Sequence, residues 1–165
     1  MAHANAPSTR SLCRQLAQLL QTQHYLLTTA ESCTGGLIAA ACTDLAGSSV
    51  WFERGFVTYS NAAKTELLGV DAQLFATEGA VSEAVARAMA EGALRHSQAQ
   101  VALAVTGVAG PGGGSADKPV GTVWLAWATP AGTTASRCWF PGPRSAVRKA
   151  TVRHALQQML QLLQA

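Results

Sequence analysis

The sequence predicts an α/β fold in which a mixed sheet is covered on both faces by helices. Three observations carry this: helix-like and strand-like segments alternate through the first two thirds of the chain, a hairpin signal follows, and a long amphipathic segment closes it. A length of 165 residues with 48% hydrophobic content is enough to bury one core without disulfides or metals.

Residues 1–10 are expected to form a frayed tail ahead of a single domain over 11–165. The first helix spans 11–23, with Leu12, Leu16, Leu19 and Leu20 at helical spacing and Ser8 or Thr9 as its cap. Residues 25–30 read as a buried strand, ESCTGG at 31–36 as a turn, and LIAAACTDLAG at 37–47 as a helix closed by its last glycine. Residues 52–60 have strand composition, and NAAKTELLGV at 61–70 reads as a short helix capped by Ser60 or Asn61. From Ser82 to about His96, Val85, Ala86, Met89, Ala90 and Ala93 keep one apolar stripe of a further helix. VALAVTG at 101–107 is another buried strand, whereas GVAGPGGGSADKP at 107–119 carries too much Gly and Pro for regular structure and must be a long loop. Strands over 120–128 and 133–140 flank the hairpin signal TPAGT. Pro143 fits the first position of the last helix, which carries Val147, Val152, Leu156, Met159, Leu160 and Leu163 near one face.

Bulk chemistry excludes several classes. Cys13, Cys33, Cys42 and Cys138 form no C-x-x-C pair, so reduced and mostly buried thiols are expected. MAHANAPSTR lacks the apolar run of a signal peptide and no apolar stretch reaches membrane length, which predicts a cytoplasmic protein without membrane association. Net charge is only +3, but all nine acids lie at or before Asp117 and six basic residues follow it, so the last third should present positive potential. Nucleic acid is not the expected partner, because Trp124, Trp127 and Trp139 read as strand residues rather than a basic-aromatic series.

No metal or cofactor is called for. His3, His24, His96 and His154 are isolated, no Cys/His cluster has ligand spacing, and Lys118 follows the glycines at the wrong spacing for a Walker loop. A Ser-His-Asp triad is poorly supported, since His24 and His154 read as capping or surface imidazoles.

Three constellations remain. Glu31, Ser32, Cys33, Thr34, Gly35 and Gly36 form a turn from a buried strand into a helix, where unpaired N–H groups can receive a phosphate or an oxyanion. The alternative is that Ser32 or Thr34 caps the helix and the glycines only shape the turn. Tyr59 ends a strand and Lys64 lies one turn into the next helix; if Lys64 is buried beside Ser32, desolvation lets it act as a base toward the hydroxyl. The loop from Thr106 and Gly107 through Gly112 and Gly113 can wrap a nucleotide or simply be flexible. Arg144 and Arg148 start the last helix four residues apart, so they form either a phosphate receptor or a solvated basic face.

Taken in order, TTAESCTGG, AGSSVWFERGFVTYSNAAK with LLGV, EGAVSEAVARAMAEGAL and AVTGVAGPGGGSADKPVGTVWLAWA resemble the C-terminal domain of the competence/damage-inducible protein CinA, over nearly the whole chain. Stand-alone members of that family are similar to nicotinamide-nucleotide amidases of the PncC type. The resemblance implies a three-layer α/β/α fold like that of anticodon-binding domains, a homo-oligomer, and metal-free hydrolysis of nicotinamide mononucleotide to nicotinate mononucleotide and ammonia. It also implies a Ser, Tyr and Lys set at Ser32, Tyr59 and Lys64. Beside them, Glu31 either orients Lys64 or a substrate hydroxyl or is only a solvated or capping acid. Two other classes stay open: a non-catalytic nucleotide- or nucleic-acid-binding module, and a cysteine amidase using Cys33.

Overall fold

A computed structural model describes residues 6–165. Of the expected tail, residues 1–5 lie outside the described residues, and helix α1 (Thr9–Gln23) starts earlier than its apolar pattern because the Ser8 side chain accepts the Ser11 N–H. There follow β1 (Leu27–Glu31), α2 (Leu37–Thr43), a 3-10 turn (Ser48–Val50), β2 (Phe52–Val57), α3 (Asn61–Leu68), α4 (Gln73–Thr77), α5 (Glu83–Arg95), β3 (Val101–Gly107), β4 (Thr122–Thr129), β5 (Gly132–Trp139) and α6 (Arg144–Gln164).

The five strands form one sheet in the order β2-β1-β3-β4-β5, parallel from β2 to β3 and antiparallel from β3 to β5. This is the mixed sheet the element order predicts. Strand parity then divides the core in two. Leu27, Val101, Leu103, Val105, Val123, Leu125 and Trp127 face α1, α2 and α6, whereas Ala30, Ala102, Ala104, Ala126 and Ala128 face α3 and α5. Large residues on one face and alanines on the other let α5 lie close to the sheet. The same parity points Glu31 toward α2 and leaves Ser32 at the boundary where β1 ends.

Four local expectations are corrected. Helix α2 ends at Thr43, and Gly47, at φ 80°, instead starts the 3-10 turn that carries Trp51 into the core. Pro143 is the cap of α6 in an extended conformation, so Arg144 is its first helical residue. Strand β2 stops at Val57, because Ser60 is already the cap of α3 and bonds the Ala63 N–H. Helix α4 was not predicted, and it buries no side chain that could have left a pattern. Among the described residues no helix is long and apolar enough to cross a membrane.

Candidate active site

Ser32 sits one residue beyond β1, yet its N–H still donates to the Val105 carbonyl at 3.1 Å, so sheet pairing holds its backbone. Thr58 N–H donates to the Glu31 carbonyl at 2.8 Å and thereby fixes the chain leading from β2 into α3 beside it. Capped by Ser60, helix α3 turns Lys64 inward, where the side chain is buried. Its Nζ lies 3.0 Å from Ser32 Oγ and 3.4 Å from the Tyr59 carbonyl oxygen. Ser32 is itself 8% exposed, which leaves it reachable from one side only.

No carboxylate pairs with Lys64 among the described residues. Burial, the dominant cause, holds its pKa below the ordinary lysine value, so the neutral amine is more available than on a surface lysine. A neutral amine at hydrogen-bond distance from a serine hydroxyl is the arrangement that permits proton removal as the oxygen attacks.

Ser32, Lys64, Tyr59, Asn61, Cys33, Thr106, Gly107 and Arg144 line a cleft of about 210 Å³, closed on the apolar side by Ala80, Val81 and Ala109. A larger concavity of about 670 Å³ over α1 and the 3-10 turn holds no paired nucleophile and base. The smaller cleft is therefore the candidate site. Tyr59 presents its carbonyl to Lys64, while its exposed phenol accepts from Arg144 Nη2 at 3.0 Å. Arg144 Nη1 donates to the Gly110 carbonyl at 2.9 Å, which ties the glycine loop to the start of α6. Thr106 donates its hydroxyl to the Ala80 carbonyl at 2.8 Å and so shapes the far wall.

The remaining sequence candidates take other positions. The Glu31 carboxylate is buried and accepts from Thr34 Oγ1 at 2.6 Å, Ile38 N–H at 2.8 Å and Ala39 N–H at 3.0 Å. Thus the anion that the start of α2 receives is the chain's own carboxylate, which leaves it no contact with Lys64. Thr34, buried with its hydroxyl on Glu31, does not line the cleft, and neither do Gly35 at φ 58° and Gly36 at φ 100°, which shape the turn. Gly112 and Gly113 are exposed on the outer part of the loop. Arg148 points to the turn: its Nε donates to the Cys33 carbonyl and its Nη2 to the Thr34 carbonyl, each at 3.1 Å. Sequence reasoning missed Asn61, Ala80, Val81 and Ala109 as cleft residues. Only Asn61 left a signal, a polar residue between Tyr59 and Lys64 that was assigned to capping.

Cys33 is buried, and burial pushes its thiol up to about 11, so it is protonated at neutral pH. His24 caps α1 in the left-handed conformation, and His154 makes T-shaped ring contacts with Trp127 and Phe140, so neither imidazole reaches the cleft. Among the described residues no three His, Cys, Asp or Glu side chains are grouped to hold a metal ion.

Comparison with known proteins agrees with this architecture. The nicotinamide-nucleotide amidohydrolase PncC of Escherichia coli K12 is 52% identical over 152 residues, covering 91% of this chain and 92% of that protein. The protein of the same name from Pseudomonas putida is 54% identical over 152 residues, with 92% and 95% coverage. Among solved structures, the competence/damage inducible protein CihA from Agrobacterium tumefaciens superposes with a TM-score of 0.92 at 47% identity, covering 97% of this chain and 98% of that one. A CinA superfamily protein from Escherichia coli gives 0.93 at 39% identity, with 98% and 94% coverage. Residues 9–163 match the CinA C-terminal domain, and the chain belongs to that family.

Proposed function

We propose that the protein hydrolyses the carboxamide of nicotinamide mononucleotide to nicotinate mononucleotide and ammonia, with Ser32 as nucleophile and Lys64 as base. The carrying observation is the buried Lys64 amine 3.0 Å from Ser32 Oγ, with no carboxylate to hold it charged. The names of the relatives supply the substrate.

As Ser32 Oγ bonds to the carboxamide carbon, its proton passes to Lys64 Nζ and the carbonyl oxygen becomes an oxyanion. Lys64 then returns that proton to the nitrogen, the C–N bond breaks and ammonia leaves an ester on Ser32. Water attacks the ester, Lys64 takes a proton from it, and the acid departs as Ser32 recovers its hydrogen. Tyr59 holds Lys64 through its carbonyl and holds Arg144 through its phenol. Thr106 and Gly107 bound the space for the ring. This reading needs no metal or cofactor. It takes the chain to act as one domain over 11–165, in the cytoplasm and as a homo-oligomer; four free cysteines agree with the compartment, and the assembly rests on the family resemblance.

The phosphate falls to Arg144, whose guanidinium lies on the cleft wall and has N–H groups beyond the two it spends on Gly110 and Tyr59. Arg144→Ala is expected to raise KM for nicotinamide mononucleotide by about tenfold or more, the loss of a charge-assisted hydrogen bond, with a much smaller change for the unphosphorylated riboside. Steady-state ammonia release on both substrates checks it, and equal changes on the two remove Arg144 from phosphate binding.

Cys33 separates this reading from a thiol amidase. Cys33→Ala is expected to keep activity within about threefold of the parent, because a side chain protonated at neutral pH supplies no thiolate. Loss of ammonia release in Cys33→Ala, with Ser32→Ala still active, makes the enzyme a thiol amidase.

A further inference from the structure

The turn that carries Ser32 has its carbonyls fixed from outside the cleft. The Ser32 carbonyl accepts the Gly35 N–H at 3.0 Å, and the Thr34 carbonyl accepts the Leu37 N–H at 3.1 Å. One guanidinium, Arg148 on α6, spans the Cys33 and Thr34 carbonyls. Because a trans peptide is planar, anchoring a carbonyl also fixes the direction of the following N–H, which points the opposite way. Anchoring the Ser32 and Cys33 carbonyls therefore sets the Cys33 and Thr34 N–H groups, and neither finds an acceptor among the described residues. Of the two residues only Cys33 lines the cleft, and an N–H without a partner at a buried residue is rare enough to need an explanation. An oxyanion formed on the Ser32 adduct supplies one.

Gly35 lies in the same contact. At φ 58° it needs a glycine, and a Cβ there would lie 3.4 Å from Arg148 Nη2, so the guanidinium packs directly against the turn. Glu31 holds the other side of the turn through Thr34 and the start of α2.

We infer that Arg148 is a positioning residue: by clamping the Cys33 and Thr34 carbonyls it fixes the Gly35 N–H that holds the Ser32 carbonyl, so that the Cys33 N–H beside Ser32 is held ready for the oxyanion, and it does not bind the substrate phosphate. This rests on the serine mechanism proposed above. Lysine cannot reproduce the clamp, because an ammonium is a point charge whereas the guanidinium offers two N–H groups in a fixed fork.

The experiment compares Arg148→Ala and Arg148→Lys with the parent in two assays, after thermal unfolding shows which variants are folded. In the first, ammonia release from nicotinamide mononucleotide should show kcat lower by about a hundredfold, the scale of losing one oxyanion donor, with KM within about threefold and no rescue by lysine. Guanidinium ion added below denaturing concentration should restore part of kcat in Arg148→Ala and none in Arg148→Lys, whose side chain fills the space. In the second, labelling by a fluorophosphonate forms a bond from Ser32 Oγ to phosphorus, expels fluoride and gives the proton to Lys64. It needs the same oxyanion donors but no pyridine substrate, and should slow by about the same factor. If the parent labels but does not release ammonia, the substrate reading fails while the second assay still decides the clamp. Unchanged labelling and kcat in a folded Arg148→Ala, or a large rise in KM alone, overturns the inference. If Arg148→Ala does not fold, Arg148→Lys decides it by the same two rates, and parent-like rates in that variant overturn the clamp.

Discussion

Ser32→Ala is expected to lower ammonia release from nicotinamide mononucleotide by at least about 10⁴-fold, the scale on which serine hydrolases lose turnover without their nucleophile. Its fold should be unaffected, because the Ser32 hydroxyl bonds only Lys64 while its backbone N–H and carbonyl carry the contacts that shape the turn. Thermal unfolding and circular dichroism within error of the parent, together with ammonia at background, are the expected pair of results. Turnover within tenfold of the parent assigns the reaction to another group.

Lys64→Met should be nearly as damaging to kcat, by about 10³-fold or more, yet should make the protein more stable. Its sign follows from linkage. Burial lowers the Lys64 pKa in the folded chain, so between that lowered value and the ordinary lysine range the unfolded chain binds more protons. Stability contributed by this site therefore rises as pH climbs through that window, and below it the full penalty of a buried amine is present. Methionine fills a similar volume without the penalty. The unfolding temperature of Lys64→Met should exceed that of the parent by a few degrees at neutral pH. Above the ordinary lysine range the difference should shrink. The same shift governs catalysis: kcat/KM of the parent should rise with pH along a limb whose midpoint lies below that of a free lysine, as the base loses its proton. Calorimetry of both proteins and a pH profile of the parent check these statements. A less stable Lys64→Met, with loss that grows toward neutral pH, contradicts a desolvated amine.

Much of the fold was legible because period and punctuation agree. The apolar stripe of α5, the run VALAVTG and the hairpin TPAGT each carry one unambiguous pattern, and each lies where its pattern puts it. The α2 boundary was not legible: Leu45 and Ala46 continue a helix-compatible segment up to Gly47, and only the fold shows that the chain leaves the helix after Thr43. The site divides in the same way. A helix cap at Ser60 sets Lys64 one turn in, so its meeting with Ser32 could be posed from sequence as a condition, but burial had to be seen. The roles of Glu31 and Arg148 were out of reach, because each depends on a partner that only the fold supplies. Parity aims Glu31 at α2, and α6 returns 115 positions later in the chain to set Arg148 against Cys33. An acid beside a glycine turn and an arginine in the first turns of a helix can each read in sequence as a ligand for substrate, whereas here both hold the turn itself.

Peptide mapping after fluorophosphonate labelling tests the central claim most directly, because it reports which atom of the cleft is the nucleophile. The expected adduct is on Ser32, formed at similar rates in the parent and in Cys33→Ala and absent from Lys64→Met. An adduct on Cys33, or an unlabelled parent that still releases ammonia from nicotinamide mononucleotide, contradicts it.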